Sequence, residues 1–188
     1  MDEYVYELKI PLDRVAVLIG SKGETKKEIE EATKTKISVD SKEGDIFING
    51  KDAVLLFSAR EVVKAIARGF NPDIALQLLK QDASFELIEI DDFAKNKNHY
   101  ERLRGRVIGK DGSARRTIEE LTETYICVYG KTIGIIGDLE KVAVARKAVE
   151  SVLTGSPHSG VYKWLEKKRR ELKIMELEGK SYGTEDIK

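Results

Sequence analysis

A Gly-x-x-Gly loop that opens a helix occurs twice in this chain, and the repetition limits the possible folds more than any other feature of the sequence. The first copy reads Val15-Ala16-Val17-Leu18-Ile19-Gly20-Ser21-Lys22-Gly23-Glu24-Thr25-Lys26-Lys27-Glu28-Ile29. The second reads Gly105-Arg106-Val107-Ile108-Gly109-Lys110-Asp111-Gly112-Ser113-Ala114-Arg115-Arg116-Thr117-Ile118. Gly20 and Gly109 are 89 positions apart, and the isoleucine before each and the basic pair after it fall in matching places. A period of this length implies two copies of one small domain. The 188 residues, 41% hydrophobic, suffice for two cores.

The order of elements repeats as well. Tyr4 to Ile10 alternates apolar and polar residues, as a strand with Tyr4, Tyr6, Leu8 and Ile10 on a buried face would. Pro11 ends it, and Leu12 to Ile19 reads as a short helix halted by Gly20. After the loop comes an amphipathic helix from Glu24, then strands at Lys36–Asp40 and Asp45–Asn49 around a Ser41–Gly44 turn. A long helix at 52–68 follows, capped by Asp52. The second copy runs through strand 85–90, helix 100–108, loop, helix 113–123, strands 125–129 and 132–136, and helix 139–153. Gly50 and Gly137 differ in position by 87, so the first hairpin loop is two residues longer. These readings give an α+β chain: a first domain at 1–70, a connecting helix at 71–83, a second domain at 84–155, and a C-terminal helix and tail at 156–188. The apolar stripe Ile74, Ala75, Leu78 and Leu79 on the connecting helix needs a surface to bury against, so the domains are expected to pack together. The tail from Glu176 to Lys188 is polar and expected to fray.

A Gly-x-x-Gly turn brings backbone close to a ligand, and the helix behind it offers unpaired N–H groups and a partial positive charge. Such a site suits phosphate. The first-turn cations Lys26, Lys27, Arg115 and Arg116 oppose the helix dipole, which makes sense if a polyanion neutralises both. Formal net charge is zero, so any attraction for nucleic acid must be local. Residues 13–27 carry a net +2 and residues 102–116 a net +5, which favours the second copy.

Val17-Leu18-Ile19-Gly20-Ser21-Lys22-Gly23 and Arg106-Val107-Ile108-Gly109-Lys110-Asp111-Gly112 resemble the signature of the KH domain, a binder of single-stranded nucleic acid. The strand-helix-helix-strand-strand-helix order is similar to the type I KH fold, a three-stranded antiparallel sheet packed on helices, here in two tandem copies. In that module the loop clamps about four nucleotides by their backbone. With the segment from Gly155-Ser156-Pro157-His158 into Val161-Tyr162-Lys163-Trp164-Leu165, the pair resembles the archaeal family of tandem KH proteins related to the eukaryotic ribosome-assembly factor partner of Nob. The resemblance implies single-stranded RNA as partner, at the 3′ end of small-subunit ribosomal RNA. It also implies contact with the rRNA-processing endonuclease or a translation initiation factor.

The RNA-binding residues expected on these grounds are Gly109, Lys110, Asp111, Gly112, Ser113, Arg102, Arg104, Arg106, Val107, Ile108, Arg115 and Arg116. In the first copy they are Gly20, Ser21, Lys22, Gly23, Arg14, Lys26 and Lys27. With no aromatic in either loop, bases should meet the aliphatic pairs Val107/Ile108 and Leu18/Ile19. Contact with about five phosphates would give a log-affinity against log-salt slope of about −3.5. The alternative function is a protein-interaction adaptor with a degenerate first copy.

No catalytic role, metal or cofactor is expected. Gly105-x-x-x-Gly109-Lys110-Asp111 fails the P-loop pattern, which needs four intervening residues and Ser or Thr after the lysine. Asp91-Asp92 lacks a second acidic cluster, and His99 and His158 read as surface or capping residues. One cysteine, Cys127, excludes an internal disulfide, and no run reaches the length of a membrane span, so a cytoplasmic location is expected. The basic run Lys167–Arg170 reads as a solvated helix face.

Overall fold

The computed structural model describes residues Tyr4–Gly179, which fold as two compact units divided between Phe85 and Glu86. The first contains β1 (Tyr4–Lys9), α1 (Leu12–Ile19), α2 (Glu24–Thr33), β2 (Lys36–Val39), β3 (Asp45–Gly50), α3 (Ala53–Ala67) and the single-turn α4 (Pro72–Ala75). After β4 (Ala83–Glu89), the second has α5 (Lys97–Ile108), α6 (Ser113–Thr122), β5 (Tyr125–Tyr129), β6 (Thr132–Asp138), α7 (Leu139–Leu153) and α8 (His158–Glu178). Each unit holds a three-stranded antiparallel sheet, ordered β1-β3-β2 or β4-β6-β5.

The punctuation acts through backbone geometry. Asp52 accepts hydrogen bonds from the amides of Val54 and Leu55 at 2.8 and 3.1 Å and so caps α3. Asn96 caps α5 the same way, accepting from the His99 amide at 2.9 Å. That cap starts α5 one turn before the expected Tyr100. Pro72 occupies the first turn of α4, which continues as a 3₁₀ turn through Leu79 and buries Ala75 and Leu78 beside α3. The hairpins carry the expected two-residue difference, Val39 pairing Ile46 where Val128 pairs Ile133.

The second core gathers Leu103 and Val107 of α5, Ile118 of α6, Ile133 and Ile135 of β6, and Val149 of α7. Val161, Leu165 and Leu172 of α8 join the same cluster, so the last helix is part of the core. Burying each side chain is worth about 1.5–3 kcal/mol. Helix α8 extends three residues beyond the expected Met175, through Glu178 to a Gly179 cap; the remaining tail residues lie outside those described.

Lys141 anchors the far end of α8 electrostatically. It bonds to Glu123 at 2.7 Å and lies 3.3 Å from Asp138 and 3.9 Å from Glu176, while Arg169 approaches Glu123 at 3.7 Å. The hydrogen bond from Lys141 holds the Glu123 carboxyl below its ordinary value of 4.5. A depressed carboxylate stabilises the fold above that value and ceases to do so as pH falls through the folded one. Amide exchange of Arg169–Glu178 should therefore accelerate, beyond the intrinsic pH effect, when pH drops from 6 to below the carboxylate range. Glu123→Gln should remove that difference, and the effect should shrink in salt because the pairs are largely exposed.

Strand β1 departs from expectation at its start. Tyr6 pairs with Ile48 and Leu8 with Ile46, so the alternation lies on the expected face, yet Tyr4 and Tyr6 remain exposed while Ile10 is buried. As an edge strand, β1 has a neighbouring strand on one side only among the described residues.

Candidate nucleic-acid interface

The two loops share one backbone. Gly20 (φ 75°, ψ 178°), Lys22 (51°, 24°) and Gly23 (82°, 14°) match Gly109 (74°, 175°), Asp111 (52°, 28°) and Gly112 (76°, 13°). The two glycines of each loop have different duties. A Cβ on Gly20 would stand 2.8 Å from the Thr25 amide nitrogen, and one on Gly109 only 2.6 Å from that of Ala114. The first glycine is thus demanded by the turn itself. A Cβ on Gly23 would meet nothing, and one on Gly112 only the flexible Arg116 guanidinium at 3.3 Å. The second glycine stands clear on the open side.

No side chain caps either α2 or α6. Inside each turn Gly23 donates to the Gly20 carbonyl and Gly112 to the Gly109 carbonyl, both at 3.3 Å. The first-turn amides beyond it have no side-chain cap and carry the positive end of the helix dipole.

The expected cations separate into two groups. Lys26 donates to the Ile37 carbonyl at 2.8 Å, while Glu30 accepts from the Ile37 amide at 2.7 Å and lies 3.4 Å from Lys26. Arg115 and Glu119 treat Ile126 the same way, at 3.1 and 2.7 Å. Each i,i+4 ion pair satisfies both outward main-chain groups of a residue in an edge strand, as another strand would. Lys26 and Arg115 therefore have a structural purpose that the dipole argument overlooked. Arg14 donates to Ile66 and Phe70 carbonyls at 2.8 and 2.7 Å, and Arg106 to those of Val152 and Ser156 at 3.3 and 2.7 Å, closing the C-terminal ends of α3 and α7.

Lys27 pairs with Glu31 at 3.7 Å and Arg104 lies 3.8 Å from Glu101. Lys22, Lys110, Arg102 and Arg116 form no ion pair among the described residues, and all four are exposed. Lys110 and Arg116 flank the second loop with Asp111 and Ser113, which are also exposed, as Lys22 and Ser21 flank the first. Arg102 shares a recess with His99, Arg106, Leu153 and Thr154, about 10 Å of helix rise short of Gly109.

The expected aliphatic surface is also corrected. Val107 and Leu18 are fully buried in their cores and cannot meet a base; Ile108 and Ile19 remain half-buried beside the loops. Helix phase explains this, since Val107 follows Leu103 by four residues. The first turn of α8 lies close to the second loop's helices: His158 Nε2 is 2.8 Å from the Arg106 carbonyl, and Tyr162 is hydrogen-bonded to Thr117 of α6. Burial pushes the Tyr162 hydroxyl above its ordinary pKa. The basic run from Lys167 is neutralised nearby, Lys168 by Glu171 at 2.8 Å and Arg169 by Glu123. Sequence reasoning missed Glu30 and Glu119, although their i,i+4 spacing from Lys26 and Arg115 was a usable signal.

Two loops of identical backbone in two units of identical element order match two family descriptions. Residues 5–68 match the KH domain, and residues 84–170 match the eukaryotic-type, type I KH domain of the second PNO1 repeat. A KH domain-containing protein of Methanocaldococcus jannaschii is 45% identical over 94% of this chain and 79% of its own length. This chain belongs to the KH-domain family.

The chain is also similar to solved archaeal structures. The crystal structure of Dim2p from Pyrococcus horikoshii is 43% identical over 87% of this chain and 99% of that one, with a TM-score of 0.82. The same organism's a/eIF2α–aDim2p–rRNA complex contains a chain 42% identical over 90% of this KH protein and 96% of its own length, with a TM-score of 0.84. The RNA-binding protein PNO1 of Oryzias latipes is 35% identical over 60% of the chain, which spans 47% of that relative's length.

Proposed function

We propose that this KH protein binds single-stranded RNA through the Gly109–Gly112 loop and that its target is the 3′ end of small-subunit ribosomal RNA during ribosome assembly in the cytoplasm. The observation that carries the reading is the second loop itself: a glycine open to approach, a helix start without a side-chain cap, and the exposed cations Lys110 in the loop and Arg116 in the helix behind it, neither in an ion pair among the described residues. The relatives support the target, one being an RNA-binding protein, another a pre-rRNA-processing protein, and a third solved with rRNA and an initiation-factor subunit. A protein partner of that kind, an initiation factor or the processing endonuclease, is part of the same reading. The chain acts as a binder and not as a catalyst.

Fluorescence anisotropy with a labelled twelve-nucleotide RNA from the 3′ end of the source organism's small-subunit rRNA tests it against a scrambled RNA of equal composition. The native RNA should bind at least tenfold more tightly, and Gly112→Asp should weaken it far more than Gly23→Asp. Equal binding of both RNAs would remove the 3′ end as target, and indifference to Gly112→Asp would remove the loop as site.

A further inference from the structure

The side of the first unit formed by β1 and α3 carries features that the equivalent place in the second unit lacks. The alignment is fixed by shared hydrogen bonds. Ile10 donates to Gly44 as Ile90 donates to Lys131, and Arg14 closes α3 at Ile66 and Phe70 as Arg106 closes α7 at Val152 and Ser156. Tyr6 thus occupies the place of Glu86, and Arg60 that of Arg146. In the second unit Arg146 pairs with Glu86 and Glu150. In the first, Arg60 lies over the rings of Tyr6 and Phe57 at 5.2 and 5.8 Å, and Lys64 replaces the second glutamate. Val54 and Phe57 stand where Glu140 and Ala143 do, and Tyr4 where Ser84 does. The second unit builds the same fold without these groups, so folding does not account for them.

Tyr4 is 51% exposed, Val54 74% and Phe57 49%, so β1 and the start of α3 both present apolar side chains to the surface, and β1 has one edge without a neighbouring strand among the described residues. Next to it runs a groove of about 500 Å³ lined by Glu7, Lys9, Arg60, Lys64 and Arg68 among others. Residues 60, 64 and 68 recur once per helical turn, so their cations form a line. Asp45 pairs with Lys9 and Glu61 with Arg60, whereas Arg68 and Lys64, whose ammonium lies 5.6 Å from the centroid of the Phe85 ring, have no ion pair among the described residues.

We propose that this face of the first unit docks an acidic protein segment in extended conformation. Its apolar side chains rest on Tyr4, Val54 and Phe57, its carboxylates answer Lys64 and Arg68, and its backbone follows the free edge of β1. RNA suits the surface less well. Stacked bases need aromatic faces, and with one face each of Tyr6 and Phe57 covered by Arg60 and none on Val54, Tyr4 is the one ring of the surface that Arg60 does not cover.

The test is a ¹H–¹⁵N NMR titration of the full chain with three probes: a decapeptide of alternating glutamate and leucine, its lysine–leucine counterpart, and a ten-nucleotide uridine RNA. The acidic peptide should shift amides of Tyr4–Lys9 and Val54–Arg68. Its Kd should rise tenfold or more in the Lys64→Glu, Arg68→Glu variant and at least threefold in Phe57→Ser, with far-ultraviolet circular dichroism unchanged. Absence of those shifts, equal binding of the lysine peptide, or RNA moving the same amides and losing affinity in the double variant would each overturn the proposal. The RNA reading of the second loop is unaffected by these outcomes, since its amides lie in other residues.

Discussion

Gly109→Ala should destabilise the second unit by about 3 kcal/mol or more, while Gly112→Ala should cost about 1–2 kcal/mol and instead abolish most RNA binding. At Gly109, φ 74° with ψ 175° lies in a region that essentially only glycine occupies, which costs another residue about 1–3 kcal/mol. The added Cβ would also lie 2.6 Å from the nitrogen and 2.7 Å from the Cβ of Ala114, atoms fixed by helix α6. Gly112 has left-handed geometry (φ 76°, ψ 13°), where a Cβ costs about 1–2 kcal/mol and meets only a mobile guanidinium. The readout is the fluorescence of Trp164, the one tryptophan of the chain, which packs against the second core and so reports that unit. At about 4–8 °C per kcal/mol, Gly109→Ala should lower its transition by about 10 °C or more. Gly112→Ala should lower the transition by less than Gly109→Ala does yet bind RNA at least tenfold more weakly, as expected if the sugar-phosphate backbone passes over this glycine. Unchanged RNA affinity in Gly112→Ala would show that this glycine serves the fold alone.

Those two glycines mark how far the sequence could be read. Repetition revealed the loops, and Pro11, Gly20, Asp52 and Gly137 punctuated the elements close to where they lie. The roles of the cations were less accessible because they depend on what the fold brings together. Arg115 meets Ile126 only when β5 runs beside α6. Arg14 and Arg106 do the same work from positions that do not align in the repeat, since Arg14 matches Leu103 and Val17 matches Arg106. Comparison of the copies therefore concealed their shared function. Val107 was within reach, its four-residue spacing from the buried Leu103 turning it inward. The exposed tyrosines of β1 were not, because alternation assigns a face to each residue but does not say how far the covering helix extends.

The division of the cations changes the expected salt dependence. If all six basic residues between Arg102 and Arg116 met phosphates, the slope of log affinity against log salt would be about −4. Arg106 and Arg115 are held by main-chain carbonyls and Arg104 lies beside Glu101, which leaves Lys110, Arg116 and Arg102. Three phosphates give a slope of about −2, and Lys110→Ala with Arg116→Ala should reduce it to about −0.7 while lowering affinity at least tenfold near 0.1 M salt. Arg115→Ala should behave in the opposite way. Its loss removes a bond to the Ile126 carbonyl and leaves Glu119 without its cation, a cost of about 1–2 kcal/mol in stability, with the slope unchanged. Anisotropy titrations from 50 to 400 mM salt distinguish the two cases. A wild-type slope near −4 would mean that RNA pulls Arg106 and Arg115 away from carbonyls they now satisfy, so the strand clamp and the helix closure would both have to open on binding.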